Sequence, residues 1–215
     1  RRLAGALAGL GLSVLLTYVL YGSSLWQGWW CCDDAAILLH ARNFRPWEYF
    51  VDPDAYQALL PYSLQPLLTL SYAVDLALFG LQPWAFFAHQ LVAMALCGWL
   101  LQRITAVWLD DGRAAAPHAA ARAAPYAATL LFLAGSPAAL TSLQLMTRHY
   151  LEGLACFLLG LWLVLLRLRG RPAWLLWPAA AAFALAVSAK EFFVPLGLVP
   201  LFLPVGGWRQ RLRAA

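Results

Sequence analysis

The chain has 215 residues, 63% of them hydrophobic and 12% charged, with a mean hydropathy of +0.67. Soluble domains are roughly 45–50% apolar and about 25% charged, so this composition excludes a disordered chain, argues against a soluble enzyme, and points to an integral membrane protein. The net charge of +5 rests on 14 arginines and one lysine. They stand in short clusters between apolar runs, as charges flanking membrane helices do, and not in the single stripe of a nucleic-acid-binding surface.

Charge-free stretches locate the elements. After Arg1-Arg2 an apolar run reaches Tyr21; it is longer than the core of a signal peptide, and residues 3–22 are expected to be a membrane-anchoring span. A long outer loop, 23–83, follows. It holds two expected interfacial helices, 35–44 and 62–80, the second closed by Gly80 and Pro83. Further spans are expected at about 84–107, 123–141, 150–166, 173–189 and 192–207, with the Ala-rich stretch 114–124 as a low-complexity loop. The expected fold is therefore all-α and polytopic, with about six transmembrane helices in a single module over residues 1–215.

Arginine counting sets an orientation. With Arg1 and Arg2 in the cytoplasm, 11 of the 15 basic residues lie inside and only Arg42, Arg45, Arg148 and Lys190 outside. Eight of the ten acids lie outside, leaving Asp110 and Asp111 within. The positive-inside rule expects this asymmetry, which makes the outer face periplasmic or luminal; the Arg-rich, Lys-poor composition suggests a bacterial inner membrane.

The outer face holds the candidate chemistry. Trp26, Trp29, Trp30, Trp47, Tyr49, Phe50, Tyr56 and Tyr62 suit an aromatic belt, and the same rings could stack on a sugar. Asp33-Asp34 opens the first interfacial helix. One acid would serve as its N-cap; the second, beside it at a low-dielectric boundary, would suit a general base or a cation site. Asp75, Arg148, His149, Glu152, Lys190 and Glu191 can converge there. Each also has a plainer reading. Arg148 and Glu152 are spaced to pair along a helix, Lys190 could snorkel, and His89 could be a helix-contact residue. Lys190 and Glu191, adjacent and so about 100° apart on a helix, are poorly placed to pair. Cys97 and Cys156 read as small core hydrophobes, and Cys31-Cys32 lacks zinc-site spacing. Mg²⁺ or Mn²⁺ on Asp33 and Asp34 is the one metal reading left; no cofactor is required.

Four blocks, in order, resemble the GT-C glycosyltransferases, multi-span enzymes that use polyprenyl-phosphate sugars, and among them the protein O-mannosyltransferase-like members. DDAAILLHARNF (33–44) is similar to their first-loop acidic motif. PYSLQPLLTLSYAVDLALFGLQPWAFFAHQL (61–91) resembles their Y-R-P-L … L-F-G-x-x-P … H stretch, with Gln65 in place of the Arg. LAGSPAALTSLQLMTRHYLEG (133–153) resembles their H-P … G-R stretch, with Ser136 in place of the His, and LAVSAKEFFVPLGLVPLFL (185–203) their L-S-K-E … L-P segment. The resemblance implies an outward-facing cavity in which Asp33 or Asp34 deprotonates or positions an acceptor hydroxyl on protein, lipid or glycan. The hydroxyl attacks the anomeric carbon with inversion, and Arg148 and Lys190 meet the departing phosphate. His149, Glu152, Glu191, His89 and Asp75 would line the substrate site. Because family members have further spans, the chain is expected to be an N-terminal module of a longer enzyme. Two alternatives stand beside this reading: a non-catalytic module that binds or translocates the carrier lipid, and a small transporter.

Overall fold

The computed structural model describes residues 2–28, 30–59, 65–109, 118–203 and 205–212, apart from the side chains of Arg2, Leu3, Tyr56, His118, Ala119, Arg209 and Gln210. The expectations placed on Arg1, Trp29, Tyr62, Asp110, Asp111, Arg113 and Arg213, and on the side chains of Arg2, Tyr56 and Arg209, lie outside them. The described residues form helices and no strand: α1 (Arg2–Tyr21), α2 (Asp34–Asn43), α3 (Glu48–Val51), α4 (Pro53–Gln57), α5 (Pro66–Phe79), α6 (Pro83–Leu109), α7 (His118–Leu133), α8 (Ser136–Leu143), α9 (Arg148–Leu168), α10 (Leu176–Ala189) and α11 (Trp208–Leu212).

Among the described residues, three stretches are long and apolar enough to cross a membrane: Ala4–Trp26, Pro83–Leu109 and Leu145–Leu168. They correspond to the expected spans at 3–22, 84–107 and 150–166. The expected span 123–141 is a bent pair, α7 and α8, meeting at 50°. The break falls at Gly135, and Pro137 starts the new helix without an N–H to place. Helix α7 also begins earlier than expected, at His118, taking in part of the stretch assigned to a loop. Alanine is the strongest helix former, so its low complexity signalled helix.

The last two expected spans are shorter than a membrane span of this kind. The fifth is the apolar stretch Ala173–Ala189. The sixth is a 3-10 helix, Glu191–Phe202, and not an α-helix over 192–207. Pro195 and Pro200 each remove an N–H and clash with an α-helical turn, which leaves the tighter winding. At about 2 Å per residue it extends about 24 Å, less than a hydrocarbon core of about 30 Å.

Helix α6 is the central post. Ser13 donates to the Ala95 carbonyl at 2.7 Å and Trp99 to that of Ala6 at 3.0 Å, tying α1 to α6. Thr129 donates to Gly98 at 2.8 Å, tying α7 to it, and the Cys97 thiol lies 3.5 Å from the Leu151 carbonyl of α9. Small and weakly polar residues at helix crossings let backbones approach and hydrogen-bond in lipid. Cys97 is buried as expected, and Cys156 half-buried. Below these crossings Leu100, Ile104, Leu158 and Leu165 form an apolar core. At the other end, Ile37, Leu38, Leu68, Tyr72, Phe86, Phe87 and Leu145 form a second. It clamps the two interfacial helices, α2 and α5, onto the starts of α6 and α9.

The rings expected to form an aromatic belt differ in exposure. Trp26, Trp47 and Phe50 are exposed, but Trp30 packs edge-on to Phe86 at 4.8 Å. Tyr49 departs from the expectation. It is fully buried, and its hydroxyl donates to the carbonyls of Ala41 and Phe44 at 3.2 Å, closing the end of α2. Burial pushes its phenol up to about 12.

Candidate functional site

The turn ahead of α2 sets the position of the two acids. Cys32 adopts a left-handed conformation, φ 51°, rare for a side-chain-bearing residue. The chain folds back so that Asp34 and Cys31 bond reciprocally: the Asp34 amide donates to the Cys31 carbonyl, and the Cys31 amide to the Asp34 carboxylate, both at 3.1 Å. Asp33 occupies the N-cap position, yet its side chain makes no capping bond, because its backbone is already helical (φ −83°, ψ 0°). The N-cap reading of the pair is therefore not met. Asp33 is exposed and Asp34 is fully buried.

The other carboxylate oxygen of Asp34 accepts from the Tyr72 hydroxyl at 3.0 Å. Burial, and then the nearby carboxylates of Asp34 and Glu152, push the Tyr72 phenol far above its ordinary value, so it stays a donor. The Arg148 guanidinium lies across the Tyr72 ring, 4.7 Å from its centre, and 5.3 Å from that of Phe86. Arg148 has no exposed surface. Its Nη1 donates to Asp75 at 2.6 Å and to the Ser71 hydroxyl at 3.1 Å, and its Nη2 to the Phe86 carbonyl at 2.7 Å. The Ser71 hydroxyl in turn donates a short hydrogen bond to Glu152. The pairing of Arg148 with Glu152 along α9 is weaker, 4.0 Å from Nε to Oε1.

His89 completes the network. Its Nδ1 lies 2.9 and 3.0 Å from the two oxygens of Asp75, and its Nε2 lies 3.5 Å from Glu152. Its side chain is 36% exposed, against 0% for Arg148, 4% for Asp75 and 8% for Glu152, so His89 is the network's contact with the outside. Glu152 Oε2 and Arg148 Nε are buried without a hydrogen-bond partner.

Of the candidates, Asp34, Asp75, His89, Arg148 and Glu152 are thus brought together from α2, α5, α6 and α9. Asp33 stands at their edge. His149 is buried on the next face of α9, its ring 4.1 Å from that of Tyr150, and Lys190 and Glu191 lie within electrostatic reach of it. Lys190 and Glu191 do pair, Nζ to Oε1 at 3.4 Å. The expectation that they could not rested on helical spacing, but Lys190 is extended (φ −160°, ψ 133°) at the junction of α10 and the 3-10 helix. The segment is seated by Phe193, whose ring fills the space where a side chain on Gly153 would stand. Farther along the same crevice an apolar cavity of about 300 Å³ opens between α9, α10 and the 3-10 helix, lined by Phe157, Gly160, Phe183 and Leu196.

Sequence reasoning did not single out Ser71 and Tyr72. With Asp75 they make a polar stripe on an apolar helix, and that spacing was the available signal. Among the described residues, no three His, Cys, Asp or Glu side chains stand together to hold a metal ion. In the Asp33–Asp34 pair, both oxygens of Asp34 accept hydrogen bonds and Asp33 is exposed. Compared with protein-family models, with curated proteins and with solved structures, the chain matches none.

Proposed function

We propose that the chain is the membrane module, or the N-terminal part, of a GT-C-type glycosyltransferase that moves a sugar from a polyprenyl-phosphate donor to an acceptor hydroxyl at the outer face. In this reading the chain crosses the membrane about six times, with its N-terminus in the cytoplasm. One observation carries the reading: all four sequence blocks that suggested it meet in space. Asp34 of the first bonds Tyr72 of the second, Arg148 of the third bonds Asp75 of the second, and Phe193 of the fourth seats on Gly153 of the third.

The geometry divides the labour. Asp33, exposed at the head of α2, is the carboxylate that takes the acceptor proton; the freed oxygen pair forms the new bond to the anomeric carbon as the anomeric carbon–phosphate oxygen bond breaks, and the phosphate leaves with the electron pair of that broken bond. Asp34, saturated by Tyr72 and Cys31, positions the turn. Arg148, fully buried and bonded to Asp75, Ser71 and Phe86, holds the network and leaves the departing phosphate to Lys190. The apolar cavity suits a stretch of the carrier's hydrocarbon tail.

A second reading is a carrier-lipid-binding module without catalysis. It is favoured by the complete burial of Arg148, which leaves one lysine to meet the phosphate. One experiment separates the two. Sugar transfer from a panel of polyprenyl-phosphate donors is measured in proteoliposomes, with donor binding read in the same samples, for the parent, Asp33→Asn and Asp34→Asn. The enzyme reading expects Asp33→Asn to lose transfer by about a hundredfold or more with binding kept. Binding without transfer in the parent selects the second reading, and equal transfer by Asp33→Asn and the parent removes Asp33 as the base.

A further inference from the structure

At the end of the bundle opposite the carboxylate network lies a cavity of about 990 Å³. The two are separated along α6: the network sits at Phe86 and His89, and the cavity begins at Gln102, about 20–25 Å on. Four arginines line it, from three parts of the fold: Arg103 from α6, Arg122 from α7, and Arg169 and Arg171 from the segment after α9. Gln102 and Tyr126 add polar lining, and the rest of the wall is mostly apolar.

The plain account of such arginines is that they snorkel to water beyond the ends of membrane helices. Three observations exceed it. Arg103 does not sit at a helix end; it lies six residues before the last residue of α6, about 9 Å inside it. It is half-buried, its Nε is buried without a hydrogen-bond partner, and its guanidinium is 5.9 Å from the Trp162 ring. Arg169 is fixed in place by the Val107 and Trp108 carbonyls at 2.6 and 3.2 Å, so its charge is held at the rim. And Arg103, Arg122 and Arg171 form no ion pair with any described residue. Snorkelling side chains would diverge; these converge on one concavity at the upper end of ligand-site volumes, about 300–1,000 Å³.

We propose that this cavity binds a phosphate-bearing ligand, the headgroup of an anionic phospholipid. Guanidinium forks match phosphate oxygens two at a time, and basic pockets between membrane helices are suited to anionic headgroups. The volume fits a headgroup with its glycerol better than a lone inorganic ion. The mixed wall suits a ligand with a charged end and an apolar body. The site is independent of the glycosyltransferase reading, because it uses none of the residues assigned there.

The test uses the full chain in nanodiscs of phosphatidylcholine, alone or doped with cardiolipin, a phospholipid with two phosphodiesters. Cardiolipin retained per chain is counted by native mass spectrometry, and inorganic pyrophosphate is titrated separately as the soluble probe. The variants are Arg103→Gln with Arg122→Gln, which removes charge; Ala121→Trp, which fills the cavity and keeps every arginine; and Arg167→Gln, which removes the same kind of charge near the cavity without lining it. The parent and Arg167→Gln should retain cardiolipin, and the other two should lose about tenfold or more of it. Pyrophosphate binding with the same variant pattern, and no retained cardiolipin, would uphold a phosphate site and overturn the lipid as its source. Equal loss in Arg167→Gln and the double variant, or full retention by Ala121→Trp, would overturn the site. Unfolding midpoints in undoped nanodiscs identify a variant that has not folded; should the double variant fail so, Ala121→Trp decides.

Discussion

Replacing Arg148 with methionine keeps much of the side chain's volume and removes its charge from a place with no water. Three charge-assisted hydrogen bonds go with it, at 2.6 Å to Asp75, 2.7 Å to the Phe86 carbonyl and 3.1 Å to Ser71. Hydrogen bonds to charged groups contribute about 1.5–3 kcal/mol each, and removing one partner of a buried ion pair costs about 3–5 kcal/mol. The second figure already contains the lost bonds and gives about 3–5 kcal/mol for Arg148→Met, a large share of the stability of an ordinary domain. Most of that cost is Asp75 left buried without its counter-charge. Asp75→Asn in the same chain should therefore return part of it, with a coupling of about 2 kcal/mol. The measurement is reversible unfolding by dodecyl sulfate in mixed micelles, followed by tryptophan fluorescence, for the parent, both single variants and the double. A single-variant cost under about 1 kcal/mol, or a double variant no more stable than the two single costs added together, would refute a desolvated, mutually dependent network.

Two further expectations concern stability alone. His40 is buried between Phe44 and Tyr49, with ring centres 4.6 and 5.6 Å away, and burial lowers its pKa. The unfolded chain therefore binds more protons than the folded one as pH falls below about 6.5, and stability drops there. His40→Phe should keep the ring packing and abolish that part of the pH dependence, read as the difference in unfolding midpoint between pH 7.5 and the lowest pH tolerated; identical pH profiles would rule it out. At Gly98, an added Cβ would stand 2.6 Å from the Ser13 hydroxyl and 3.2 Å from Thr129, whereas at Gly11 it would meet nothing within 4 Å. Gly98→Ala should cost about 1–3 kcal/mol while Gly11→Ala gains up to about 1 kcal/mol; the same sign at both positions would contradict the helix crossing.

How much of this was legible in the sequence follows from which physical signal each element carries. The uninterrupted apolar runs of α1, α6 and α9 fix membrane-length helices almost by length alone. Gly80 ends α5 where expected, at φ +62°. The segment after Lys190 defeats the same reasoning, because apolar content reports burial and says little about winding, and Pro195 and Pro200 decide the winding. The Lys190–Glu191 pair was missed for the same reason: a helical angle was applied to a residue that is extended. In the candidate site, the charged members were visible as charges out of place in an apolar chain. What joins them was not. The links are a serine and a tyrosine, Ser71 and Tyr72, ordinary in an apolar helix until a buried acid stands opposite. The asymmetry of Asp33 and Asp34 was equally hidden, since it depends on the left-handed turn at Cys32.

The order in which the network's members leave the ribosome bears on how the chain assembles. Asp34, Asp75 and His89 are all made before Arg148, and Asp75 precedes its partner by 73 residues. At about 5–20 residues per second that gap lasts about 4–15 s. For that time the early carboxylates have no cation to bury with, and a lone carboxylate resists entry into lipid. Helices α2 and α5 must therefore wait at the water's edge, although their apolar faces favour docking. The arrival of α9 supplies the missing charge and draws them in. The first half of this protein is thus kept provisional by its own acids, and the end of the bundle that holds the network takes final form only when the second half has been made.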